Sequence, residues 1–144
     1  MQDFPHHYEV AAQAATTGNV ELKSDRVTPI LSAPPAEFGG PGDQWSPESL
    51  LVAAVCDCFV LSFRAIARAS KLEWTSLSCS ANGTLDRVDR ISQFTRFDVK
   101  ANLIVPLGTD EAKALRILQK AEDACLITNS LIADSHLEAT VHVG

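Results

Sequence analysis

The sequence predicts an α+β fold in which antiparallel sheets pack on a long, buried central helix. Three observations carry this expectation. Short extended segments precede residue 33, and an unusually apolar helix starts at Pro47. A long hairpin, a second helix and a final strand follow it. Runs of strands and helices in this order, without βαβ alternation, read as α+β. The chain has 144 residues, with 46% hydrophobic and 21% charged residues. Those values suit one globular domain spanning residues 1–144 and disfavour disorder. No repeat or low-complexity tract interrupts it.

Residues 7–32 read as strands. His7 to Thr16 is Ala-rich and lacks clean alternation, whereas Val20 to Lys23 alternates after a turn at Gly18-Asn19. Thr28 to Leu31 contains Pro29 and belongs at an edge or an end. Residues 33–45, APPAEFGGPGDQW, form a loop, because three prolines and three glycines cannot build an element interior. The glycines read as turn residues: no Gly-Lys-Ser/Thr follows, and no G-x-G-x-x-G spacing is present.

The central helix is expected from Pro47 to about Ser70. Ser46 is a good N-cap, Pro47 suits the first helical position, and Glu48 places a negative charge in the first turn. Leu50, Val52, Val55, Phe59, Leu61 and Phe63 spread over every face, as in a helix covered on all sides. A chain this short has little sheet to cover it, so a second subunit is expected on the other face. Trp74 to Leu85 and Ile91 to Val105 form the hairpin arms, with the turn in Asp86–Arg90. A second helix follows Gly108, capped by Thr109. Its Ala114, Leu118, Ala121 and Cys125 share one face, so Cys125 points inward at its end. Leu126 to Ile132 leads to a last strand from about Leu137 to Val143.

Composition removes several function classes. With 18 acidic and 12 basic residues the net charge is −6, which disfavours nucleic acid and anionic membrane as partners. The apolar stretch Leu50 to Phe63 is broken by Asp57 and is shorter than the roughly 18 residues a membrane span needs. MQDFPHHYEV carries no basic n-region or apolar h-region. A cytoplasmic location is therefore the expectation.

Chemistry is then sought among Cys56, Cys58, Cys79 and Cys125. In a reducing compartment four thiols are not a disulfide scaffold. Cys56 and Cys58 diverge by about 200° around a helix axis and cannot chelate one ion together. No C-x-x-C and no G-x-S-x-G elbow is present, so neither a metal, a cofactor nor a hydrolase triad is expected. Cys56 and Cys79 read as packing residues. Cys58 lies amid apolar neighbours, a setting that by itself leaves a thiol inert. Cys125 ends a helix, where the dipole disfavours a thiolate and suits a thiol that does not attack first.

The segment EFGGPGDQWSPESLLVAAVCDCF, from Glu37 to Phe59, together with CLITN from Cys125 to Asn129, resembles the OsmC/Ohr family of osmotically inducible and organic hydroperoxide resistance proteins. Pro47-Glu48 and Cys58-Phe59 stand at the family's spacing, and the element order agrees across nearly the whole chain. The resemblance implies an OsmC/Ohr-like intertwined homodimer and a cysteine-based peroxidase acting on alkyl or lipid hydroperoxides. It implies that Cys58 attacks the peroxide, and that Cys125 resolves the sulfenic acid as a disulfide. An external dithiol, of lipoyl type or similar, reduces that disulfide. Glu48 matches a glutamate that positions an activating arginine. It lies about 15 Å along the helix axis from Cys58 and must act through that arginine or across a dimer interface.

This chain departs from the pattern in three ways. The early hairpin has no arginine at Thr16 to Val20, which leaves Arg26, Arg87, Arg90 and Arg96 as candidates. Asp57 replaces a small residue beside Cys58, and an unpaired carboxylate there works against a thiolate. Leu126 stands where many members have proline. These departures mark a divergent member and motivate an alternative function, a non-catalytic ligand-binding or redox-sensing module on the same fold.

Overall fold

A computed structural model describes all residues, Met1–Gly144. The chain divides into two compact units, residues 1–50 and 51–144, with the division inside the first turn of the long helix.

The first unit holds three short strands, β1 (Ala11–Gln13), β2 (Val20–Lys23) and β3 (Ile30–Ser32). They pair antiparallel in the order β1-β2-β3, with Ala12 opposite Leu22 and Glu21 opposite Leu31. Only three residues of the Ala-rich stretch pair, in keeping with its missing alternation. Pro29 lies just before β3, where it interrupts no ladder. The loop that follows contains a single 3₁₀ turn, Ala36–Phe38. Gly40 is required there: a Cβ on it would sit 1.6 Å from the Pro34 carbonyl oxygen. The glycines therefore allow a tight backbone crossing, as the turn reading expected.

Helix α1 (Pro47–Ala69) begins with a reciprocal cap. The Ser49 amide donates to Ser46 Oγ at 3.1 Å, and the Ser46 amide donates to Ser49 Oγ at 2.9 Å. It ends with Lys71 at φ 56°, the Leu72 amide bonding the Ala67 carbonyl at 2.9 Å. This is a Schellman-type stop, and Lys113 Nζ adds a bond of 2.9 Å to the Ser70 carbonyl.

Within the chain α1 buries one stripe, Val55, Phe59, Phe63 and Ala67, each four residues from the next. Leu61 is 50% exposed on another face. Within the chain one sheet reaches only one side of the helix, as so apolar a helix in so short a chain implied. The apolar segment is longer than the sequence reading made it. The helix continues well past Phe63, and by length and composition alone it is sufficient to cross a bilayer, with a mean hydropathy of 2.1 over 18 residues. Its buried stripe is, however, part of the core described next.

The second sheet consists of β4 (Ser76–Val88), β5 (Ile91–Val105) and β6 (Asp134–Val143), in the order β4-β5-β6. The first pair is antiparallel and turns through Asp89 and Arg90, at φ 50° and 69°. Two successive positive φ values are those of a type I′ hairpin turn. The β5–β6 pair is parallel, with Val99 opposite Leu137, so the sheet is mixed. Three of the four strand pairs are antiparallel, in keeping with the mostly antiparallel reading, and the parallel one arises because the chain returns through α2 (Glu111–Ala124) and α3 (Leu126–Asn129) to the start of β5 before β6 begins. Such a crossover delivers a parallel strand. The cap of α2 is Asp110 rather than Thr109, its carboxylate accepting from the Lys113 amide at 3.1 Å.

Alternation puts Leu77, Cys79 and Ala81 of β4, and Phe97, Val99, Ala101 and Leu103 of β5, toward the core. They meet the α1 stripe and the inner face of α2, where Ala114, Leu118 and Ala121 are fully buried as expected. Each fully buried Phe or Leu contributes about 1.5–3 kcal/mol relative to exposure.

Candidate functional site

The core places the four cysteines where α1, β4 and the α2–α3 junction come together. Cys58 is half-buried on α1, one residue before the fully buried Phe59. Its Sγ lies 3.9 Å from Ser62 Oγ, one turn further along. Asp57 is exposed, so its carboxylate is directed to solvent instead of into the core.

Cys125 is 1% exposed. It closes α2, its amide bonding the Glu122 carbonyl at 3.3 Å, and it is also the N-cap of α3. The dipole argument from sequence is therefore incomplete, because a new helix starts at the same residue. Burial pushes the Cys125 thiol up, and the Thr128 hydroxyl and backbone N–H oppose the rise. The Cys58 thiol pushes it further up. A thiol far away in sequence, on α1, is thus near enough to act on Cys125. Thr128 Oγ1 also donates to the Cys125 carbonyl at 3.1 Å, fixing the backbone that presents the thiol.

The second cysteine pair was not expected. Cys56 Sγ lies 3.3 Å from Cys79 Sγ, and the Cys56 thiol donates to the Cys79 carbonyl, also at 3.3 Å. The Cys79 thiol is pushed far up, first by burial, then by its bond with Cys56 and by the charges of Cys56, Glu122 and Cys125. Glu122 is a buried carboxylate: one oxygen accepts from Ser135 Oγ, and Oε2 is buried without a partner. The one sequence signal for the pair was that Cys79 shares strand parity with Leu77 and Ala81. Nothing local said which α1 residue would meet it.

Glu48 lies in the first unit, in the first turn of α1, with its Oε2 buried and unpartnered. No arginine makes a hydrogen bond to Cys58 or Cys125 within the chain. Arg96 faces outward and is held by Asp98 through bonds of 2.8 and 3.0 Å from Nε. Arg87 and Arg90 are exposed at the hairpin tip, and Arg26 is exposed beside Asp25 at 3.6 Å. A groove of about 720 Å³ opens between Arg96, Asp98, Lys100, His136 and Glu138, on residues that include none of the cysteines.

The structure defines an α+β protein with a half-buried thiol on a long sheet-packed helix and a buried thiol at a later helix junction. The OsmC-like protein family model matches residues 40–140. The chain belongs to the OsmC-like protein family, in agreement with the resemblance read from its residues. YmaD of Bacillus subtilis, an uncharacterized protein, is 24% identical over 146 residues, spanning 96% of this chain and 97% of YmaD. Peroxiredoxin OsmC of Escherichia coli is 30% identical over 93 residues, 65% of this chain and 64% of that protein. Among solved structures, an OsmC-like protein of unknown function from Vibrio cholerae matches with a TM-score of 0.85 at 17% identity, over 94% of this chain and 100% of that one. An organic hydroperoxide resistance protein from Elizabethkingia anophelis matches with a TM-score of 0.78 at 19% identity, over 99% of this chain and 100% of its own. These likenesses establish the fold, and the low identities fit a divergent member.

Proposed function

We propose that this protein is a thiol-dependent organic hydroperoxide reductase. The Cys58 thiolate attacks the peroxide, giving a Cys58 sulfenic acid and an alcohol. The Cys125 sulfur then attacks the sulfenic sulfur, forming a disulfide and releasing water. An external dithiol, of lipoyl type or similar, reduces the disulfide by exchange. The observation that carries the reading is the approach of Cys58 and Cys125 from separate elements. The names of the E. coli and E. anophelis relatives support the same chemistry. Apolar neighbours such as Phe59 favour alkyl or lipid hydroperoxides as substrates.

On this reading residues 1–144 work as one domain in a cytoplasmic homodimer. The uncovered Leu61 on α1 and the exposed Leu85, Val88 and Ile91 near the hairpin tip are apolar positions for a second copy to cover. Glu48 is then a positioning residue: its unpartnered Oε2 accepts from the arginine that activates Cys58. The test is peroxide consumption with a dithiol reductant. Cys58→Ser removes most of the turnover and all of the Cys58–Cys125 disulfide, whereas Cys125→Ser retains the first reduction and loses the disulfide. Unchanged consumption by Cys58→Ser overturns the mechanism.

The absence of any arginine bonded to the thiols within the chain favours a second reading, a redox-sensing or ligand-binding module without turnover. Steady dithiol-driven turnover by the purified protein eliminates it.

A further inference from the structure

Cys56 and Cys79 have no part in the chemistry just described, yet their sulfurs lie 3.3 Å apart across the contact of α1 with β4. A disulfide bond is about 2.05 Å long, so each sulfur needs to move by only roughly 0.6 Å to form one. The two residues sit on regular elements of the core: Cys79 is held opposite Ala101 in the β4–β5 ladder, and Cys56 follows the fully buried Val55. The thiols are therefore presented to each other by the fold and not by a mobile loop.

We propose that Cys56 and Cys79 form a second redox dithiol, which an organic hydroperoxide closes to a disulfide joining α1 to β4. The Cys56 sulfur attacks the peroxide oxygen, the O–O bond breaks, and the products are a Cys56 sulfenic acid and an alcohol. The Cys79 sulfur then attacks the sulfenic sulfur. The S–OH bond breaks, and hydroxide leaves with the Cys79 proton as water. The sum is one hydroperoxide reduced and two thiols oxidised. Cys56 takes the first step because a thiolate is the attacking form, and burial together with the nearby Glu122 keeps Cys79 protonated. The new bond lies two residues from Cys58 on the same helix. This chain thus holds two dithiol pairs and can accept oxidation twice. The inference goes beyond the Cys58–Cys125 reading and requires neither of those thiols.

The test uses the Cys58→Ser, Cys125→Ser double variant, in which Cys56 and Cys79 are the remaining cysteines. It is treated with cumene hydroperoxide and, separately, with diamide, and free thiols are then alkylated in denaturant and weighed by intact mass. The expected result with either oxidant is loss of both alkylatable thiols and a mass lower by two hydrogens, reversed by dithiothreitol. Peptide mapping of the oxidised unaltered protein is expected to give the same cross-linked pair, which covers a variant that folds poorly. Two free thiols after both treatments, or added oxygens without a cross-link, overturn the proposal. Closure by diamide but not by hydroperoxide overturns its peroxide step. Unchanged peroxide turnover in Cys58→Ser sinks the function proposed above and leaves this inference standing, so the two fail separately.

Discussion

Gly83→Ala tests the close approach of α1 to the sheet. Gly83 lies in β4 on the core-facing side. An ideal Cβ there would sit 2.9 Å from Phe94 Cε1, 2.9 Å from Val52 Cγ2 and 3.0 Å from Phe97 Cε1. Its φ is not in the left-handed region, so the backbone accepts alanine and the whole cost is steric. Overpacking a core by one methyl costs about 1–3 kcal/mol. Alanine also removes chain entropy from the unfolded state, which returns about 0.4–1 kcal/mol. The net expectation is a loss of roughly 1–2 kcal/mol. At about 3 °C per kcal/mol for a chain of this size, Tm falls by roughly 3–6 °C. Urea unfolding followed by far-ultraviolet circular dichroism reads the change as a lower midpoint with an unchanged slope. The second substitution Val52→Ala removes one of the three clashes, so the double variant loses less than the sum of the single losses, by about 0.5 kcal/mol or more. A Gly83→Ala protein as stable as the parent, or more stable, refutes the spacing between helix and sheet on which both thiol pairs depend.

Two further outcomes follow from the burial of the site. Phe59→Ala leaves a cavity in the core on the buried stripe of α1 and costs about 3–5 kcal/mol, read as a lower urea midpoint, while Leu61→Ala on the uncovered side of α1 costs far less in the isolated chain. The pH dependence of stability follows from Cys79 and Cys125, whose folded pKa values are both raised. A raised thiol contributes stability that is full below the unfolded value of about 8.5 and is lost as the pH rises toward the folded value. Unfolding midpoints measured from neutral pH to about pH 10 are therefore expected to fall. The Cys79→Ala, Cys125→Ala variant is expected to show a shallower decline. An equal decline in both proteins contradicts the assigned shifts.

What the sequence determined by itself was local. Ser46-Pro47-Glu48 set the start of α1, because capping and the helix dipole act within one turn. Apolar spacing put Ala114, Leu118, Ala121 and Cys125 on one face of α2, and the motif around Cys58 and Cys125 was enough for the family resemblance. The parallel seating of β6 was decided by the crossover through α2 and α3, which no local pattern specifies. Which stripe of α1 is buried in the chain was decided there too, because apolar composition does not say which side a sheet reaches. Cys56 and Cys79 looked like filler, since thiols on separate elements carry no mark of their partner. Their contact depends on which turn of the helix crosses which rung of the strand, and tertiary packing alone decides that.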